Sequence, residues 1–68
     1  MIGRINFYDE FKKYGFISSE ELDRNVYFRD ETLEKYGVNP DQLKSGVEVE
    51  FEYFSNTKGY IATTIKLV

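Results

Sequence analysis

The sequence predicts an all-β fold: five short strands closed into a small barrel, with a helical turn between the third and the fourth. Three observations lead there. Apolar and polar residues alternate in short runs, the period of a pleated strand with one face in water. Clusters of Asp, Asn, Ser, Lys and Gly separate the runs, as turn residues do. No stretch sustains the 3.6-residue periodicity that a long helix needs.

The first strand is GRINFY (3–8), ending in the polar pair Asp9-Glu10. The second, YGFIS (14–18), is entered from a turn carrying Lys12 and Lys13, and SSEELDR (18–24) is a polar loop. In the third, NVYFR (25–29), Val26 and Phe28 share one face and Tyr27 and Arg29 the other. DETLEKYG (30–37) breaks the pattern. Asp30 is a good N-cap, Leu33 and Tyr36 are spaced i, i+3, and Gly37 is a natural stop, which predicts one or two helical turns. A loop through Asn39-Pro40 follows.

GVEVEFEYF (46–54) is the clearest strand, with Val47, Val49, Phe51 and Tyr53 facing in and Glu48, Glu50 and Glu52 facing out. SNTKG (55–59) is a turn, and YIATTIKLV (60–68) closes the chain with Ile61, Ile65 and Leu67 in phase. An open sheet of this size would leave unpaired edges, and closure removes them. The expected architecture is a five-stranded antiparallel Greek-key barrel of the OB type.

Sixty-eight residues predict a single domain, 1–68, small enough to depend on its hydrophobic core. The chain has no cysteine and no histidine. That removes disulfides, Cys/His zinc sites, thiol nucleophiles and histidine acid–base chemistry. The carboxylates fall mainly on the outer face of the fourth strand and in loops, and the serines sit in turns. No catalytic residue, cofactor or metal is therefore expected. No apolar run approaches the roughly 18 residues of a membrane span, and the N-terminus lacks a signal-peptide core. A cytoplasmic monomer without a membrane partner is expected.

Six Tyr and six Phe are more rings than a small core needs, so some are expected outside. Strand alternation puts Tyr14 and Phe16 on one face of the second strand and Gly15 and Ile17 on the other. With Ile17 inside, both rings face out and Tyr27 and Arg29 join them. Outward rings at strand spacing offer flat faces for unpaired bases, and neighbouring lysines attract phosphates. With the strand reversed, Tyr14 and Phe16 are core and Ile17 is outside. Periodicity alone does not choose. The net charge of −3 argues against a blanket coat of nucleic acid, but charge distribution matters more than the total.

GRINFYDEFKKYGFI resembles the opening of a cold-shock domain, whose pattern is G-x-V-K-W-F-N-x-x-K-G-[YF]-G-F-I. NVYFRDETL resembles the second family block, D-V-F-V-H-F-S-A-I. LKSGVEVEF (43–51) and KGYIATTI (58–65) resemble L-x-E-G-Q-x-V-x-F and [RK]-G-P-Q-A-x-N-V. The blocks occur in order over essentially the whole chain. The resemblance implies an OB-type barrel that binds single-stranded RNA or DNA, commonly as an RNA chaperone of low sequence specificity. It places stacking residues at Phe7, Tyr14, Phe16 and Tyr27, with Arg29 where the family has histidine. Lys12 and Lys58 match its basic positions. Lys13 stands in place of a glycine, adding charge and altering the turn, and Tyr60 replaces a proline and either adds a ring or packs. Tyr36 is a weaker match to a loop aromatic of the family.

Other departures reduce the expected affinity. Asn6 replaces a lysine, Phe7 a tryptophan, and Asp30 a ring. One conflict is internal to the sequence: strict alternation buries Phe7 with Ile5, whereas the resemblance puts Phe7 outside, which requires a bulge in the first strand. The alternative reading of the whole is a protein-interaction module on the same barrel, its exposed rings docking a partner and its acidic strand steering it. An RNA-recognition motif shares the Lys-aromatic-Gly-aromatic strand but needs two long helices, which this sequence does not offer.

Overall fold

The computed structural model describes residues 1–68. Five strands form it: β1 (Ile2–Asp9), β2 (Tyr14–Ser18), β3 (Val26–Arg29), β4 (Glu48–Asn56) and β5 (Gly59–Leu67). Between β3 and β4 lie a short helix, α1 (Asp30–Lys35), and a single 3-10 turn (Pro40–Gln42). The strands close in the order β1-β2-β3-β5-β4, with β4 returning to β1. This is the all-β, OB-type barrel expected. Pairings are antiparallel except one, where β3 and β5 run parallel through Val26↔Tyr60 and Tyr27↔Ile61.

Alternation fills the interior. Ile5, Ile17, Val26, Phe28, Val49, Phe51, Ala62 and Ile65 are buried from the strands, and Leu33, Val38 and Leu43 close the barrel from the helical segment. No polar or charged side chain is buried, so the core carries no desolvation penalty for polar groups. Val47 lies before β4 rather than within it and is half-buried.

Two bulges interrupt the alternation, and they decide which rings are outside. In β1 the register steps from Ile5↔Ile17 to Phe7↔Phe16, leaving Asn6 as the extra residue. Ile5 therefore points in and Phe7 out, and Tyr8, opposite Gly15, turns back inward to stack on Phe28 at 5.9 Å. The conflict over Phe7 is resolved in favour of the outer face. In β5 the register steps from Glu52↔Thr64 to Tyr53↔Ala62, leaving Thr63 extra. Ile65 stays inside, but Ala62 is buried in place of Ile61, which moves to the outer face. The expectation that Ile61 shares the face of Ile65 is thus corrected.

The helix differs at one end from expectation. Its N-cap is Arg29, still extended, with no side-chain cap bond, and Asp30 is the first helical residue. β3 runs straight into α1, so no loop residue is free to cap. Asp30 and Glu31 instead place negative charge in the first turn, where the helix dipole favours it. The stop falls as expected. Gly37, at φ +70°, lets its own N–H reach Glu34 O and the Val38 N–H reach Leu33 O, while Leu33 and Val38 pack together in the core.

Candidate nucleic-acid interface

The outer face of β2 carries Tyr14 and Phe16, while Ile17 has no exposed surface. Gly15, between the rings, faces inward under close constraint. A Cβ there would lie 2.4 Å from Phe7 O and 2.6 Å from the Phe28 ring. Only glycine lets β1 and Phe28 come this near, and that approach draws Phe7 alongside Phe16.

Phe7, Tyr14, Phe16 and Tyr27 form one cluster. Phe7 lies 5.7 Å from Tyr14 and 5.5 Å from Phe16, centroid to centroid. Tyr27 lies 5.7 Å from Tyr14 and 5.8 Å from Phe16, and Tyr14 is 5.9 Å from Phe16. All five contacts are edge-to-face or tilted rather than face-to-face sandwiches, which the ring quadrupole disfavours. Each ring props its neighbours and leaves one side towards solvent. Phe7 is 40% exposed and the other three are half-buried.

The row continues beyond these rings. Cross-strand partners run Phe7↔Phe16↔Tyr27↔Ile61↔Phe54, crossing all five strands on one face. Sequence reasoning did not place Ile61 and Phe54 here, because only the β5 bulge brings Ile61 round. Phe11, in the β1–β2 turn, was also missed, and it is 97% exposed. An isolated ring in a polar turn gives no periodic cue to its surroundings.

Cations stand at both ends of the cluster. Lys12 and Lys13 lie in the β1–β2 turn, next to the last row, Asp9↔Tyr14↔Arg29. Lys58 lies in the β4–β5 turn, just before Tyr60, which pairs with Val26 at the far end of β3. None of the three lysines forms an ion pair, whereas Arg29 meets Glu31 at 3.5 Å. Both turns are held by a side chain. Asp9 Oδ1 accepts from the N–H of Phe11 (2.9 Å) and of Lys12 (3.1 Å), and Asn56 Oδ1 accepts from the N–H of Lys58 (2.8 Å) and of Gly59 (3.1 Å). Lys13 takes the left-handed conformation, φ 63°, which costs strain in a residue that carries a side chain.

Two expected aromatics stand apart from the cluster. Tyr60 lies on the opposite face of β5, packed against the core and 5.1 Å from Tyr53, and its hydroxyl donates to Asp23 Oδ1 at 2.8 Å. That bond raises the Tyr60 hydroxyl pKa above its ordinary value and lowers that of the Asp23 carboxyl. Tyr36 caps α1, 42% exposed, with the Lys35 ammonium 5.7 Å from its ring centre.

The chain is similar to known proteins. The family model for the 'Cold-shock' DNA-binding domain matches residues 1–68. The cold shock-like protein CspD of Haemophilus influenzae is 34% identical over 64 residues, covering 94% of this chain and 86% of that protein. The Retron Se72 cold shock-like protein of Salmonella heidelberg is 39% identical over 66 residues, covering 97% of this chain and 96% of that protein.

Proposed function

The chain belongs to the cold-shock domain family, known for nucleic-acid binding, and from that premise we propose that it binds single-stranded RNA or DNA by stacking bases on its outer rings. Phe7, Tyr14, Phe16 and Tyr27 take the bases, and Lys12, Lys13, Arg29 and Lys58 take the phosphates. The observation that carries this reading is the cluster of mutually supporting rings, open on one side, with unpaired lysines at both ends. Because the rings already hold one another, little ordering entropy is spent on binding.

The chemistry sets the specificity. A ring stacks on any base, since every base has a π-face. The cluster presents few directed donors to base edges, so discrimination is weak. A protein that binds only the unpaired form pulls RNA hairpins open by mass action, which is how an RNA chaperone would act here. The exchanges at Asn6, Phe7 and Asp30 make the binding weaker than that of a chain with the full family set.

Titration with oligo-dT or oligo-U, followed by tyrosine fluorescence at two salt concentrations, tests the proposal. Stacking quenches the emission, and log K falls with log salt at about −0.7 per phosphate contacted. Phe16→Ala weakens binding by roughly 1–3 kcal/mol, the value of one stacked base. Absence of quenching at tens of micromolar protein would leave the protein-interaction module as the better account.

A further inference from the structure

Phe11 has no role in the fold. Its ring is 97% exposed and belongs to neither the core nor the outer cluster. Yet its backbone is firmly held. Asp9 Oδ1 takes its N–H, Asp9 O takes the N–H of Lys13 at 2.8 Å, and Lys13 O takes the N–H of Asp30 at 3.1 Å, which ties the turn to the start of α1. The side chain is therefore presented from a fixed point.

The position of that point has meaning. The strand register ends with Asp9↔Tyr14↔Arg29, and Phe11 lies two residues past Asp9. It stands beyond the ring cluster at the end where Lys12 and Lys13 are unpaired. A hydrophobic contact with another protein needs a contiguous apolar patch, but Phe11 is a lone ring between Glu10 and Lys12. One flat apolar face with ammonium groups beside it matches a nucleotide: one base, one phosphate.

We propose that Phe11 is an outlying stacking residue, which takes a further base of a single strand after that strand leaves Tyr14, with Lys12 or Lys13 on the intervening phosphate. The inference rests on the nucleic-acid reading above and extends it. The site gains a step at the lysine end, and affinity keeps rising with oligonucleotide length after the cluster is filled.

The chain has no tryptophan, so Phe11→Trp places a unique fluorophore at this point. Oligothymidylates of increasing length, from about three to about ten nucleotides, span the relevant site sizes. The tryptophan emission of Phe11→Trp is expected to stay unchanged with the shortest and to be quenched by the longer ones. Phe11→Ala is expected to bind the longer oligomers roughly fivefold to a hundredfold more weakly than the parent, the fold-change of one lost stack. It should bind the shortest equally well and melt at the same temperature. Phe16→Ala, measured alongside, weakens every length. Two results overturn the inference while leaving the cluster's role intact: Phe11→Ala matching the parent at all lengths, or tryptophan emission that ignores a binding event reported by tyrosine quenching. A parent that binds no oligomer overturns both proposals. A Phe11→Ala variant that binds normally but sediments as a smaller species than the parent overturns this one, by assigning the ring to self-association.

Discussion

The outer surfaces of β1–β3 and of β4–β5 come from the same strand alternation but handle charge in opposite ways. On β4 the outward residues are Glu48, Glu50 and Glu52, with Phe54 after them. Arg4 meets Glu48 at 3.6 Å, Lys66 meets Glu50 at 2.9 Å, and Thr64 contacts Glu52. The cations facing those glutamates, Arg4 of β1 and Lys66 of β5, are used within the molecule. On β2 and β3 the outward residues include the rings Tyr14, Phe16 and Tyr27, and Lys12, Lys13 and Lys58 around them have no carboxylate partner, although Arg29 meets Glu31. The net charge of −3 is therefore a poor guide to the ring side. Glu48 and Glu50 meet counter-charges across the strands, whereas Lys12, Lys13 and Lys58, three of the six cations without a carboxylate partner, sit beside the rings. Exposed ion pairs contribute little stability, so the pairing on β4 matters mainly by taking those cations away from any ligand.

The sharpest break in this comparison is Gly15→Ala. The new methyl group strikes the Phe7 carbonyl and the Phe28 ring at once. Relief requires β1 to move off β2, so the variant should lose about 3 kcal/mol or more in urea unfolding and lose oligonucleotide affinity as the ring cluster splays. Acidic-face substitutions of similar size should do neither. A smaller effect separates free from paired cations. Lys12→Ala should flatten the salt dependence of binding by about 0.7 in log–log slope, one phosphate contact, while Lys66→Ala should leave the slope unchanged. Equal slopes for the two variants would erase the distinction drawn here.

Lys13→Gly sharpens the same point in the opposite direction. It relieves the left-handed strain at φ 63° but frees the unfolded chain, for a net gain of about 0.5 kcal/mol in thermal unfolding. It should also remove one phosphate contact, so stability and affinity move apart. The smallest effect is with pH. Burial, and after it the negative field of Asp30, Glu10, Glu34 and Asp9, raises the Tyr8 pKa in the folded state. The hydrogen bond to Asp23 does the same for Tyr60. Because the folded values lie above the unfolded one, the stabilisation is complete below about pH 10 and is lost as pH rises through the folded values. Melting temperatures should fall slightly above that pH, and less in Tyr8→Phe.

The sequence made β2, the outward glutamates of β4 and the Gly37 stop readable, because each depends on local chemistry or unbroken alternation. It gave less where the strands slip. In β1, alternation and family resemblance disagreed over Phe7, and the bulge at Asn6 reconciles them: Ile5 obeys the core and Phe7 does not. In β5 nothing warned of the bulge at Thr63. Side-chain bulk favours Ile61 for the interior, but the extra residue turns it outward and the chain buries the smaller Ala62. Asp30 has the short polar side chain usual in a cap, but here the strand itself supplies the cap position. Tyr14, Phe16 and Tyr27 share the outer face by alternation once Ile17 is inside, and the resemblance adds Phe7 to it. Its extension over Ile61 and Phe54, and the bare ring of Phe11, depend on register and exposure that no single run of residues encodes.

Asn6 separates two demands that an unbroken strand would bind together. Upstream of it, Ile5 answers to the volume of the interior; downstream, Phe7 answers to the flatness of the exterior. In a strictly alternating strand those two positions would be locked to one side, and turning either would turn both. With a spare residue between them, the exterior can be refitted to a different guest while the interior stays as it was.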